Sequence, residues 1–376
     1  MKEYDVIVAG GGPSGSIAGR TLALSGAKVL LVEKDLKRIK PCGGATPLMS
    51  FKEFNLPKKE ITRKITAISV ISPKGARVDL SPKGECIAMV ERVSFDATLR
   101  RQAEEAGADL IEAELQRVKV QGFSPRLLAR GEKSSKVQRI LVTIIENGKE
   151  RTLTSDFLIT SDGINSRVVS SLGLKPLPCV WTIQEDIEAY PQDFHACEFW
   201  FGSIHAPGFY SWVFPKKDYI DIGTGSTDGK ALKVLMKNFK MRLGINTEGR
   251  QRVYKLPLRQ RKPLVYGNIL FVGDAGGLVM PFSYEGIYYA MMSGRMAAEA
   301  IIGGSPKDYE KEWNKRFRYE FALMERLKRY FLKDDRSMER LSELCRRKEV
   351  QDAWMRLWLE KDLSITRLHE LYKFLT

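Results

Sequence analysis

The chain reads as an α/β protein: a parallel sheet of the nucleotide-binding kind, a β-rich insert and a helical C-terminal region. Three observations predict this. Residues 4–33 form a strand, a glycine turn, a small-residue helix and a second strand. Two more buried strands run into glycine-containing turns at 156–163 and 268–277. Between these last two, residues 178–226 carry short, aromatic strand patterns. Alternating strands and helices argue for a parallel sheet, and a block of short strands inside them argues for an insertion.

The first unit is the most informative. Val6, Ile7 and Val8 make a buried strand that enters Gly10-x-Gly12-x-x-Gly15, with a helix expected over 16–24 and a strand over 29–32 that ends on Glu33. Gly10 permits the tight turn, Gly12 lets backbone approach a pyrophosphate, and Gly15 lets helix and strand pack closely. The helix N-terminus favours an anion, and Glu33 can accept hydrogen bonds from ribose hydroxyls. A dinucleotide site follows. Because the fingerprint opens at the first residues, it resembles flavoproteins that carry FAD in an N-terminal unit.

Strand patterns follow at 65–71 and 76–80, then the run 89–96 leading into an amphipathic helix at 96–106. Strands are expected near 109–120 and 138–144, ahead of the strand that enters Asp162-Gly163. A helix at 229–242, the strand entering Gly273-Asp274-Ala275-Gly276 and a long helix at 285–302 complete the body. The division expected is a discontinuous nucleotide domain (1–64, 85–172 and 260–305), a β-rich substrate domain (65–84 and 173–259) and a helical region (306–376). In the last, Trp313, Phe317, Met324 and Phe331 recur at helical spacing, as do Trp354, Leu357 and Trp358. Such a stripe either docks on the body or touches a membrane surface or an apolar chain.

Bulk properties exclude several classes. No apolar run reaches the ~20 residues of a membrane span, and the N-terminus enters a core strand without a signal peptide. Five scattered cysteines without a C-x-x-C pair, and three histidines, indicate neither a disulfide framework nor a metal centre. A reducing, cytoplasmic setting is expected. The net charge of +15 is concentrated, with 9 basic against 3 acidic residues in 34–64 and 13 against 4 in 216–262. No nucleic-acid-binding motif accompanies it. Lipid headgroups, NADPH phosphates, a diphosphate substrate or an acidic electron carrier fit such a surface, as does plain solubility.

Two segments stand out chemically. Tyr210, Trp212 and Phe214 share one face of an extended strand, with Phe199 and Phe201 on another, which reads either as a sheet core or as the wall of a lipid tunnel. Cys42, flanked by Gly43 and Gly44, is a buried inert thiol, a redox thiol lacking its partner, or a residue set over a flavin, where Lys37, Arg38 and Lys40 would favour the thiolate.

With these motifs in order, the chain resembles the geranylgeranyl reductase family, within the glutathione-reductase-type (p-hydroxybenzoate-hydroxylase-like) flavoproteins that have one nucleotide fingerprint. The enzymes that saturate the prenyl tail in chlorophyll and bacteriochlorophyll synthesis are the nearest branch in pattern. The residues carrying this are Pro41-Cys42-Gly43-Gly44-Ala45-x-Pro47-Leu48, Glu53-Phe54-Asn55-Leu56-Pro57, Pro207 through Pro215, Gly286 to Ala290 and Ser293-Gly294-Arg295. The resemblance implies FAD, electrons from NADPH or reduced ferredoxin, a geranylgeranyl-type lipid substrate and peripheral membrane contact. The cofactor set expected is Gly10, Gly12, Pro13, Ser14, Gly15, Glu33, Lys34, Gly43, Gly44, Ala45, Arg92, Asp162, Gly163, Gly273, Asp274, Gly286 and Ile287. Phe199, Phe201, Tyr210, Trp212 and Phe214 would meet substrate, with Cys42 beside the flavin. One departure is Tyr284, which stands in Ser283-Tyr284-Glu285-Gly286 where the chlorophyll-branch pattern has glycine.

An isolated alkene has no carbonyl to accept negative charge, so hydride addition needs a proton delivered to the other carbon. Cys42, Tyr210, Tyr284 and Glu285 are the candidate donors. A flavin monooxygenase or halogenase on the same scaffold is the alternative, although the Trp-x-Trp-x-Ile-Pro segment of such halogenases is missing. A membrane-associated flavoprotein passing electrons to quinone is another.

Overall fold

The computed structural model describes residues 3–80, 87–121, 139–188 and 195–361. Cys86, His369, the expected junction at 84/85, residue 138 of the strand expected at 138–144, and the final stretch 362–376 of the helical region lie outside the described residues.

The nucleotide-type segments assemble as one sheet. Glu3–Ala9 lies between Val29–Glu33 and Lys149–Thr160, pairing in parallel with both, and Asp109–Glu112 and Ile269–Phe271 extend the parallel part outwards. Strand periodicity divides the core. Val6 and Val8 face the helices Pro13–Leu24, Arg92–Glu105 and Ile287–Ile302, while Ile7 and Ala9 face the opposite layer with Ile140, Val142 and Val168.

Several boundaries differ from expectation. The first helix starts at Pro13 rather than residue 16, because proline at the first helical position has no N–H to leave unpaired. The helix expected from residue 96 starts at Arg92, whose guanidinium pairs with Asp96 one turn on. The strand expected across 109–120 is broken at Ala113, whose N–H donates to the Glu33 carbonyl. Beyond the break, Glu114–Gln121 leaves the parallel sheet to pair with Arg139–Glu146.

A second, seven-stranded sheet stands over the first sheet's C-terminal edge. Its order is Arg250–Pro257, Cys179–Ile187, Ile220–Ser226, Ser211–Pro215, Ala196–Trp200, Ala67–Ile71 and Arg77–Leu80. The C-terminal helix Pro306–Phe331 packs on Ile287–Ile302, where Trp313 and Phe317 meet the Tyr289 ring, and Trp313, Phe317, Met324 and Phe331 are all at most 2% exposed. Shorter helices, Asp335–Leu344 and Lys348–Met355, and a π-helical turn, Arg356–Glu360, then carry the chain back towards the cleft between the sheets.

Candidate active site

The cleft between the two sheets has a volume of ≈520 Å³ and runs from Glu33 to Trp212 and Trp358. Its floor begins at the glycine fingerprint. Gly10 has φ +101°, and a Cβ there would fall 2.5 Å from the Ser161 carbonyl oxygen. At Gly15 a Cβ would fall 1.9 Å from the Gly10 oxygen, so this position is reserved for packing. At Gly12 a Cβ would meet nothing within 4 Å, and the residue lines the cleft as the N-cap of Pro13–Leu24 with no side-chain cap. An open cradle at an uncapped helix N-terminus is what an FAD diphosphate requires. Glu33 is oriented beside it: Oε2 accepts from the Gly11 amide at 2.7 Å, and Oε1 from the amides of Lys34 and Asp35 at 2.9 and 3.2 Å.

Most of the expected cofactor residues line this cleft, including Pro13, Ser14, Lys34, Gly43, Gly44, Ala45, Arg92, Asp162, Gly163, Asp274, Gly286 and Ile287. Gly15 and Gly273 do not. A Cβ at Gly273 would sit 2.7 Å from Ser14 Oγ, so it too is a packing position. Asp162 serves its own turn: Oδ2 accepts from the Arg167 amide at 2.8 Å, and burial pushes the carboxyl up to about 6. Its Oδ1 is buried without a partner, an acceptor position open to a ligand hydroxyl. Asp274 accepts from Lys40 Nζ at 2.7 Å and from the Tyr254 hydroxyl at 3.3 Å. Burial alone would lower the Lys40 ammonium, but Asp274 raises it above its ordinary value.

The charge beside Cys42 does not come from the upstream lysines. Lys37 is exposed and Lys40 is taken by Asp274. Arg92 lines the cleft together with Cys42 and grips Asp96 with two bonds of 2.9 and 2.7 Å, its guanidinium close enough to the thiol to interact with it electrostatically. The glycines hold the thiol in place. A Cβ at Gly43 would fall 2.5 Å from the Phe214 ring, and at Gly44, with φ +72°, 2.3 Å from the Val90 oxygen.

Beyond Cys42 the cleft becomes aromatic. Phe199 lies edge-on to Tyr210 and Phe214, at 5.1 and 5.4 Å between centroids. Trp212 lies flat on Gly223, where a Cβ would come within 2.0 Å of the indole, and Trp212 Nε1 donates to Asp221 Oδ1 at 2.5 Å. Burial pushes the Asp221 carboxyl up to about 7. Phe201 is set apart: it lines a smaller, apolar cavity of ≈100 Å³ behind Phe199 and Tyr210.

The four candidate proton donors are unequal. Tyr210 donates to the Ser283 carbonyl at 2.5 Å, and burial raises its phenol well above the ordinary value. Tyr284 has φ +53°, the left-handed region that glycine fills in the related pattern, and its ring packs 4.3 Å from that of Phe209. Burial raises its phenol too. Glu285 lines the cleft and accepts from Lys361 Nζ at 2.5 Å, with its carboxyl raised by burial. Cys42 and Glu285 remain the better placed.

Lys361 and Trp358 were not anticipated as site residues. Trp358 lies edge-on to Phe199 at 5.6 Å and lines both cavities. Its spacing with Trp354 and Leu357 marked an apolar stripe for the body, a membrane surface or an apolar chain, but nothing local says that the stripe folds back over residue 199. Phe209, inside the 207–215 motif but not expected to meet substrate, lines the cleft as well, as do Tyr254 and Asp96, which no motif singles out as site residues.

Comparison with known proteins agrees with this geometry. Residues 3–44 match the FAD binding domain model, and residues 179–252 match the geranylgeranyl reductase catalytic domain model. The chain is 33% identical to the chloroplastic geranylgeranyl diphosphate reductase of Nicotiana tabacum, covering 96% of this chain and 81% of that protein. It is 32% identical to the digeranylgeranylglycerophospholipid reductase of Methanocaldococcus jannaschii, covering 86% and 85%. A solved geranylgeranyl bacteriochlorophyll reductase-like protein from Thermoplasma acidophilum superposes with a TM-score of 0.83 at 24% identity, covering all of both chains. The chain belongs to the geranylgeranyl reductase family of FAD-dependent oxidoreductases.

Proposed function

We propose that this protein saturates isolated C=C bonds of a geranylgeranyl chain, carried on a diphosphate, a chlorophyllide or a glycerolipid. The observation that carries this is the continuity of the cleft: the glycine cradle and Glu33 lead, past Cys42, directly into the wall of Phe199, Tyr210, Trp212 and Phe214 closed by Trp358. A polyprenyl chain has no polar group to recognise, so its position must come from shape and apolar contact. The FAD contacts proposed are Gly10, Gly12, Ser14, Glu33, Arg92, Asp162, Asp274 and the amides that begin Ile287–Ile302.

Bound FAD supplies a hydride when reduced. The chain's own residues supply the rest. The aromatic wall aligns the alkene and excludes water, and an acid at the junction gives the proton. Glu285, raised by burial, and Cys42, whose sulfur accepts from the Gly44 amide, stand at that junction. The sequence offers one glycine fingerprint, so electrons are proposed to come from transiently bound NADPH or from reduced ferredoxin, with the basic 34–64 segment at the cleft mouth as the docking region. No helix among the described residues is long and apolar enough to cross a membrane, and access to lipid is proposed to be peripheral.

The test is anaerobic incubation of dithionite-reduced holoenzyme with geranylgeranyl diphosphate and with a geranylgeranyl glycerolipid, followed by mass spectrometry. Products heavier by pairs of hydrogens support the reading. Substrates recovered unchanged refute it.

A further inference from the structure

Glu285 is the end of a buried line of hydrogen-bonding groups that begins at Glu320. Lys361 Nζ donates to Glu285 Oε2 at 2.5 Å and lies 3.5 Å from the Tyr289 hydroxyl, which donates to Glu320 Oε1 at 2.8 Å. The Lys361 and Glu285 side chains are 2% and 4% exposed, and Glu320 is 1% exposed. The outer oxygens, Glu285 Oε1 and Glu320 Oε2, are buried without partners. Two acids and an ammonium in a dry compartment are expensive, and apolar residues of similar volume would be cheaper.

The line connects two parts of the molecule. Glu285 faces the cleft, while Glu320, Tyr289 and Lys361 line the apolar cavity behind Phe199 and Tyr210. With one cation for two carboxyls, one carboxyl must hold a proton. That one is Glu320, which lacks the direct contact to Lys361 and is pushed by burial up to about 7. The groups facing it are Lys361, Tyr289, Glu285 and, on its own helix, Arg316. Those facing Lys361 include the rings of Tyr288 and Tyr289, and Tyr288 in turn donates to Glu53.

We propose that Glu320, Tyr289 and Lys361 form a proton store for Glu285, so that the C-terminal segment through Lys361 completes the acid of the reduction. The proposal rests on the alkene-reducing function above. The double bond takes up a hydride from the reduced cofactor and one proton. That proton, shared along the Lys361–Glu285 hydrogen bond, leaves through Glu285 to carbon. Once Lys361 is left as an amine, the Tyr289 hydroxyl turns from Glu320 towards it, passes it its proton and takes in exchange the proton of Glu320, which is left as a carboxylate and regains a proton from solvent between turnovers. Glu285 touches substrate. The other three act through it and are positioning and supply residues.

The test uses dithionite-reduced holoenzyme and geranylgeranyl diphosphate in single turnovers from about pH 5 to 9, with Glu320→Gln, Tyr289→Phe and Lys361→Arg. Lys361→Arg keeps the charge but does not release a proton, which separates holding Glu285 from supplying it. Expected are unchanged FAD content and KM, a rate lowered at least ~10-fold in each variant, and loss in Glu320→Gln of the wild-type fall in rate above about pH 7. A second readout needs no turnover: pH-difference infrared spectra should show a protonated carboxyl titrating near neutrality in wild type and missing from Glu320→Gln. An unchanged infrared band in Glu320→Gln, or wild-type rates in Lys361→Arg, overturns the store. If wild type itself leaves the prenyl chain unreduced, the proposed function fails, and the infrared band alone decides whether Glu320 holds the proton.

Discussion

At Tyr284 the backbone and the side chain want different residues. The φ of +53° places an L-residue in the left-handed region, at a cost of about 1–2 kcal/mol. The ring, 9% exposed, is packed against Phe209 and Tyr210 with centroids 4.3 and 6.2 Å away. Removing such a ring from a core costs about 3–5 kcal/mol, so both Tyr284→Ala and Tyr284→Gly should destabilise the protein. Their order is the informative quantity. Elsewhere, glycine is about 0.5–1 kcal/mol worse than alanine because it gives up more unfolded-chain freedom. Here it also escapes the left-handed penalty, and the balance puts Tyr284→Gly about 0.5–1 kcal/mol above Tyr284→Ala. Urea denaturation of the two FAD-saturated variants, compared at equal slope, measures this directly. Alanine more stable than glycine would refute the left-handed backbone conformation at this position.

Three further outcomes are expected. Gly223→Ala should drive a methyl into the Trp212 indole, which Asp221 holds by its Nε1–H, costing about 1–3 kcal/mol; it should raise KM for the prenyl substrate while leaving FAD absorbance intact, and an unchanged melting temperature and KM would show that the ring is not seated there. Cys42→Ala should keep FAD but lose alkene reduction, and a normal rate would remove the thiol from the chemistry. Glu320 is raised from its ordinary 4.5 to about 7 in the folded state, so its contribution to stability is full below about pH 4.5 and is lost as pH rises through 7, up to about 3 kcal/mol in all. Glu320→Gln should flatten that part of the stability curve measured by thermal melting; an identical slope in wild type and variant would mean that the acid titrates normally.

The local part of the fold was legible because it is written in local chemistry. Val6, Ile7 and Val8 alternate between two cores, the fingerprint glycines fill positions that a Cβ would obstruct or leave open to a ligand, and Glu33 ends its strand beside the turn. Turn sterics and strand periodicity act over a few residues, so they can be read without the fold. The same holds for the aromatic alternation at 210–214, although whether it formed a core or a cleft wall depended on what stood opposite. Boundaries were less legible. Arg92 reads as part of a run ahead of the helix until Asp96 pairs with it, and Ala113 reads as mid-strand until the chain changes partners there.

What the sequence determined by itself was therefore the nucleotide unit, the order of its parts and the family pattern. Only the tertiary structure decided which charges and rings share the cleft. Arg92, paired with Asp96, shares the cleft with Cys42; Lys40 is drawn off to Asp274, 234 residues away; and Trp358 and Lys361 return from the C-terminal region to Phe199 and Glu285. The physical reason is that these pairings depend on the burial and approach of groups from distant segments. Desolvation and Coulomb attraction act through space, and no spacing along the chain encodes them.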